Sequence, residues 1–259
     1  MDSYLARPGS VEPHLQRLFN RNQSLVLFDI GACEGEESIR YLRIFPRARV
    51  FAFEPLPANQ AIIRANFVRY DVHGAELVPV ALSDHPGEAI FHVSAGHPPE
   101  LFSGEQWNYG NKSSSLLPPA QLGPMHGWID FPEKITVTCD TLDAFCERSG
   151  ISHIDFIHMD VQGGEGLVLA GGARMLSHVS AIWLEVANEE LYRGQKLRPE
   201  IETLLKSHGF RLAAEELRGA EGDQLYVNVR RLQSWGLIAR RWLTRIQRAA
   251  RRRLTFAST

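Results

Sequence analysis

The chain has 259 residues, 44% of them hydrophobic, which suits one large α/β domain with a substantial core. Three scattered cysteines, Cys33, Cys139 and Cys146, form no CxxC pair, and no apolar run reaches signal or membrane-span length, so a disulfide scaffold, a zinc site and a spanning helix are not indicated and a cytoplasmic setting is expected. The formal net charge of -2 hides an asymmetry: nine arginines and no acid follow Gln224, while the body before it holds 19 basic against 30 acidic residues.

In chain order, the sequence predicts a helical extension over residues 1–24 and then a unit spanning 25–230. Apolar runs and breakers give a strand at Leu25–Ile30, a helix at Gly35–Ile44, a strand at Arg49–Phe53 and a helix at Pro57–Tyr70. Strands at Glu76–Leu82 and Glu88–Val93 follow. Residues 94–132, rich in Gly, Pro and Ser, read as one long loop of the kind that often forms a lid or acceptor surface. Beyond it come a strand at Lys134–Thr138, a helix at Thr141–Ser149, a strand at His153–Met159, a helix at Glu165–Leu176 and a strand at Val179–Val186. A helix at Pro199–His208 leads into strands Phe210–Ala214 and Gln224–Val229. The alternation implies a Rossmann-like, mostly parallel sheet with helices on both faces, and the final pair implies an antiparallel strand closing one edge.

The first turn, "FDIGACEGEES", lies at the strand edge where open α/β sheets bind ligands. It meets neither G-x-G-x-x-G nor the phosphate-loop pattern. Glu34, Glu36 and Glu37 would repel a pyrophosphate at the helix start and suit a cationic ligand such as S-adenosylmethionine, although acids in a first helical turn also complement the helix dipole. Glu54 ends the second strand, where a carboxylate accepts hydrogen bonds from both hydroxyls of a ribose.

The ordered set "FDIGACEGEES", "VFAFEPLPANQAIIRANF", "VALSD", "SSSL", "VTCDTLDAFCERSGISHIDFIHMDVQGGEGLVLAGG" and "AIWLEV" resembles the FkbM-type family of S-adenosylmethionine-dependent methyltransferases over about residues 25 to 229. The resemblance implies a class I methyltransferase fold, with six parallel strands and one antiparallel. It also implies that Asp29, Gly31, Ala32 and the backbone to Gly35 border the methionine part of the cofactor, that Glu54 holds the ribose, and that Ala81, Leu82 and Ser83 border the adenine.

A hydroxyl acceptor benefits from a base. Strand alternation puts His158 and Asp160 on one face, with Asp160 the leading candidate and His158 beside it. Members of the resembled family commonly carry lysine at position 158 and glutamate at 162, so His158 and Gln162 depart from the pattern. Glu185, on a neighbouring strand end, is a third catalytic candidate. Asp160 and Glu185 could share a divalent metal, but no third ligand at defined spacing supports one. Trp107, Tyr109, His97, His126 and Trp128 in the long loop suit stacking on a sugar or another ring, which would make it a source of acceptor specificity, or else pin a solvent loop to the body.

The segment 231–259 reads by spacing as a basic amphipathic helix that would pack on the sheet, adsorb to an anionic inner membrane surface, or bind an acidic glycan or RNA. The expected acceptor is a small molecule or glycan, methylated on oxygen; RNA or protein methylation, or cofactor binding without catalysis, are the rivals. No RNA-recognition motif is present.

Overall fold

A computed structural model describes residues 1–98, 110–120 and 127–232. Two short helices, α1 (Asp2–Ala6) and α2 (Glu12–Leu18), precede β1 (Val26–Ile30). The chain continues through α3 (Glu36–Ile44), β2 (Arg49–Phe53), α4 (Pro57–Arg69), β3 (Ala75–Val78), β4 (Ala81–Leu82) and β5 (Gly87–Gly96). Then come β6 (Ile129–Asp140), α5 (Leu142–Arg148), β7 (Ile154–Met159), α6 (Glu165–Gly171), β8 (Val179–Ala187), α7 (Arg198–Ser207), β9 (Phe210–Arg218), β10 (Glu221–Asn228) and α8 (Val229–Leu232).

Seven strands form the main sheet in the order β3-β2-β1-β7-β8-β10-β9. All share one direction except β10, which pairs antiparallel with both β8 and β9. This is the class I methyltransferase arrangement. The reversed strand lies one in from the edge: α7 carries the chain past a gap beside β8, and the β9–β10 hairpin folds its second strand back into that gap. The order reverses between β1 and β7, and ligands of open α/β sheets bind at the strand ends beside such a point.

Side chains alternate between two cores as strand geometry requires. Leu27, Val50, Phe156, Trp183 and Leu225 pack against α2 and α3 through Leu15, Leu18, Tyr41 and Ile44. Phe28, Phe51, Phe53, Ile157 and Ile182 pack against α5, α6 and α7 through Phe145, Val168, Leu169, Ile201 and Leu205. Leu15 has no exposed surface, so α2 is part of the core.

Three sequence expectations need correction. The strand expected at Glu76–Leu82 is two strands, because Pro79 has no N–H to continue the ladder and β3 stops at Val78. β4 then belongs to a second sheet, of order β4-β6-β5, which the sequence did not suggest. The expected loop over 94–132 is shorter on both sides, since β5 runs to Gly96 and β6 begins at Ile129. Pro132 is tolerated in β6 because it faces a register shift between Val93 and Ala95, where the ladder is already interrupted. The helix expected to reach Leu176 ends at the Gly171-Gly172 pair and is followed by a 3-10 turn at Met175–His178. The arginine-rich helix expected beyond 232 lies outside the described residues, as do Trp107, Tyr109 and His126. No helix among the described residues is long and apolar enough to cross a membrane.

Candidate active site

The β1–α3 turn is held against its neighbours by the backbone. Gly31 and Ala32 both donate their N–H to the Phe53 carbonyl at 3.0 Å, and Asp160 donates to the Ile30 carbonyl at 3.0 Å. Gly31 has φ +86, and a Cβ there would lie 1.9 Å from the Asp160 carbonyl oxygen, so only glycine lets the turns after β1 and β7 approach this closely. Gly35, at φ +80, faces Phe67 and Ile63 of α4 and caps the start of α3.

Glu54 follows β2 with only 4% of its surface exposed. Its two oxygens accept from Cys33 N–H at 2.9 Å and Leu56 N–H at 2.8 Å. Burial pushes its pKa up to about 7, while these backbone donors pull the other way. The three acids of the opening turn have separate partners. Glu34 accepts from Asn111 at 3.3 Å, Glu36 pairs with Lys112 at 2.5 Å, and Glu37 accepts from Tyr4 at 2.5 Å and Arg40 at 3.1 Å.

Below the turn, Asp29 accepts from Ser38 at 2.6 Å and lies 3.8 Å from His158 Nδ1, which in turn meets the Tyr41 hydroxyl at 2.9 Å. Burial raises Asp29 to about 6, with the His158 charge and the Ser38 bond opposing. His158 thus belongs to a network that reaches α3.

Asp160 lies just past β7, inside the cleft but open to it. The Gln162 side-chain nitrogen donates to Asp160 Oδ1 at 2.6 Å and to Glu185 Oε2 at 3.1 Å. The Gln162 side-chain oxygen faces the Tyr192 hydroxyl at 2.9 Å. Desolvation raises both acids; for Glu185 the negative charges of Asp160 and Glu165 add to it, whereas Gln162 and His158 pull Asp160 back. Glu165, buried behind them, accepts from Val161 N–H at 3.1 Å and is pushed up to about 7 by burial.

Three cavities meet here. One of about 520 Å³ is walled by Asp29, Gly31, Ala32, Glu36, His158 and Asp160 on the sheet side, and by Ser3, Tyr4, Arg7 and Ser10 of the N-terminal segment on the other. A second, of about 50 Å³, is lined by Glu54, Ala81, Leu82, Phe91, Asn111 and Leu116. The third, of about 240 Å³, is lined by Trp128, Tyr192, Glu165, Glu185, Gln195 and Glu221. Asp160 and Lys112 border all three.

Most candidates from the sequence therefore converge. Asp29, Gly31, Ala32, Glu54, Ala81, Leu82, His158, Asp160 and Glu185 each line a cavity, whereas Gly35 and Ser83 line none of the three. The Ser83 hydroxyl donates to Asp84 at 3.2 Å. The sequence reading passed over Lys112, Asn111, Tyr192 and the N-terminal Tyr4. Tyr4 comes from the short helix α1, Asn111 and Lys112 from a 3-10 turn and Tyr192 from a connection after β8, segments too short to show a period, and only the fold brings them to the strand ends. The Ser113–Ser115 element lies across the site: Ser115 exchanges backbone bonds with His92 at 2.8 and 3.0 Å, and its hydroxyl donates to the Gln162 carbonyl at 2.7 Å.

The second cavity fits the chemistry of an adenosine. Glu54 offers a carboxylate, Ala81, Leu82 and Phe91 offer an apolar slot, and Asn111 Oδ1 is a buried acceptor with no hydrogen-bond partner among the described residues. Its volume is well under the several hundred Å³ of an open small-molecule site, because the 110–116 segment closes it. No group of three or more His, Cys, Asp or Glu able to hold a metal occurs among the described residues.

Residues 29–212 match the family described as the methyltransferase FkbM domain. The chain is 37% identical over 205 residues to the 2-O-methyltransferase NoeI of Sinorhizobium fredii, covering 79% of this chain and 80% of that one. It is 29% identical over 206 residues to the 31-O-demethyl-FK506 methyltransferase FkbM of Streptomyces tacrolimicus, covering 74% of each. It is 24% identical over 231 residues to the methyltransferase sdnD of Sordaria araneosa, covering 84% of this chain and 86% of that one. The sheet order, the carboxylate-bearing strand ends and this match over most of the chain lead to one assignment: the chain belongs to the FkbM family and is an S-adenosylmethionine-dependent methyltransferase.

Proposed function

We propose that this methyltransferase acts on a hydroxyl of a neutral small molecule, a sugar, glycan or secondary metabolite, with Asp160 taking the hydroxyl proton. The observation that carries the reading is the placement of Asp160 where all three cavities meet. Glu54 and the slot of Ala81, Leu82 and Phe91 would hold the adenosine of S-adenosylmethionine. Asp29, Gly31, Ala32 and Glu36 would border its charged end. Bound there, the cofactor supplies a methyl group on a sulfonium, open to displacement by an oxygen nucleophile. Asp160 removes the proton as the acceptor oxygen attacks, which lowers the cost of developing an alkoxide. Glu185 is tied to Asp160 through the Gln162 amide, which holds the Asp160 carboxylate in place to take that proton.

The acceptor class rests on the lining of the third cavity. Trp128 and Tyr192 offer ring faces and Gln195 offers an amide. The carboxylates Asp160, Glu165, Glu185 and Glu221 outnumber Lys112 and Lys196, an unfavourable field for phosphate, sulfate or RNA. The relatives named as a 2-O-methyltransferase and a 31-O-demethyl-FK506 methyltransferase support oxygen as the acceptor atom. The N-terminal segment, from Ser3 to Val11, walls the 520 Å³ cavity and would help to select the acceptor.

Incubation with methyl-labelled S-adenosylmethionine and a panel of neutral oligosaccharides and polyols, followed by fragmentation, should yield a labelled methyl ether. Label appearing only in RNA or protein would overturn the acceptor class, and cofactor binding with no transfer to any acceptor would favour a non-catalytic protein. For the cofactor half, Glu54→Ala should weaken S-adenosylhomocysteine about ten- to a hundredfold in calorimetry, as expected for losing charge-assisted hydrogen bonds. Unchanged affinity would remove Glu54 from the site.

A further inference from the structure

We infer that Gln162 is a positioning residue whose side-chain amide stands where a divalent cation would otherwise bridge Asp160 and Glu185. The inference deepens the reading of Asp160 as the base, and rests on it.

Two carboxylates facing one another across adjacent strand ends repel, and proteins relieve such a pair with a shared proton, a metal ion or a neutral donor. The Gln162 nitrogen carries two hydrogens and lies 2.6 Å from Asp160 and 3.1 Å from Glu185, so one NH₂ group serves both acids. Its orientation follows from chemistry: an amide oxygen turned toward two carboxylates would repel both. The opposite end is fixed by the Tyr192 hydroxyl at 2.9 Å, and the backbone by Ser115, whose hydroxyl donates to the Gln162 carbonyl at 2.7 Å. Gln162 itself has φ +54, in the left-handed region that a side chain other than glycine visits rarely, and the surrounding bonds hold it there. An N–H donor facing both acids occupies the place of a cation, and no group of three or more His, Cys, Asp or Glu able to hold a metal occurs here among the described residues. A glutamate at this position, isosteric and reaching the same place, would turn the bridge into a three-carboxylate set suited to a hard divalent ion.

The test is a Mn²⁺ titration followed by electron paramagnetic resonance, on the wild-type chain, Gln162→Glu and Gln162→Glu/Asp160→Asn, with S-adenosylhomocysteine calorimetry on each. Gln162→Glu should bind one Mn²⁺ at least about tenfold more tightly than the wild type, and the added Asp160→Asn should abolish that gain. Wild-type Mn²⁺ binding as tight as that of the variant would overturn the inference. So would a Gln162→Glu protein that binds S-adenosylhomocysteine normally but gains no Mn²⁺ site. If S-adenosylhomocysteine fails to bind even the wild type, the cofactor-site assignment fails instead, and the Mn²⁺ comparison still stands by itself.

Discussion

At the scale of single residues, the site is built by close approach and by burial. Gly31 is the sharpest case, because its missing Cβ lets the β1 turn lie directly on the Asp160 backbone. Gly31→Ala should cost more than about 3 kcal/mol, combining a positive-φ strain with a backbone clash that no rotamer can relieve. Chemical denaturation measures this, and a cost below about 1 kcal/mol would show that the two turns can separate freely. Such residues were legible in part. "FDIGACEGEES" suggested a ligand turn and its carboxylates a cationic ligand, and Gly31, Ala32, Cys33, Glu36 and Glu37 of this stretch do line a cavity. In the fold, however, the three acids divide their work: Glu36 meets the Lys112 ammonium and borders a cavity, Glu37 anchors the N-terminal segment, and Glu34 is tied to Asn111. Lys112 could not be foreseen as their partner, since 76 positions separate it from Glu36 and no periodicity links them. His158 was expected beside Asp160 as a second catalytic group, and its tie to Tyr41 and closeness to Asp29 add a supporting network that alternation alone could not reveal.

At the scale of elements, the strands of the main sheet were legible because buried parallel strands read as apolar runs of Val, Ile, Leu and Phe bounded by breakers. The second sheet was not, because β4 has two residues and the early part of β6 is exposed and interrupted by Pro132. The N-terminal segment carries a more specific consequence. Arg40 is almost fully buried, donating to the carbonyls of Arg7 and Tyr4 and to Glu37, and its guanidinium stacks 4.7 Å over the Tyr4 ring. Together these contacts clasp α1, whose Ser3 and Tyr4 wall the 520 Å³ cavity, against α3. Arg40→Ala should leave Glu37 without its cation, at a cost of about 3–5 kcal/mol, and release residues 1–11 to protease. Limited proteolysis with mass spectrometry reads the release; cleavage no faster than in the wild type would mean that α1 is held by other contacts.

For the whole molecule, the decisive property is the number of acids kept out of water. Burial raises Asp29 and Asp223 to about 6, and Glu54 and Glu165 to about 7. In the unfolded chain these groups ionise near pH 4. Between roughly pH 4 and 7 the folded state therefore binds more protons, so their contribution is complete below this window and is lost as pH rises through it. Surface acids held low by arginine or histidine, such as Glu147 and Asp84, work in the opposite sense but are screened by solvent. The melting temperature of the ligand-free protein should accordingly fall by several degrees from pH 5.5 to pH 8, at about 2–4 °C per kcal/mol for a chain of this size. S-adenosylmethionine should restore more of it at pH 8 than at pH 5.5, because its positive charge meets ionised carboxylates. A melting temperature that rises steadily to pH 8 would contradict this reading of the buried acids.

In the proposed reading, these features serve one arrangement, a carboxylate where the three cavities meet. Asp160→Asn keeps the shape and the Gln162 contact region while removing the basic oxygen. With labelled S-adenosylmethionine and a hydroxyl acceptor, methyl transfer by Asp160→Asn should fall at least about a hundredfold while S-adenosylhomocysteine affinity stays within about threefold of the wild type. Transfer at the wild-type rate, with the cofactor bound as tightly, would show that proton removal does not depend on Asp160.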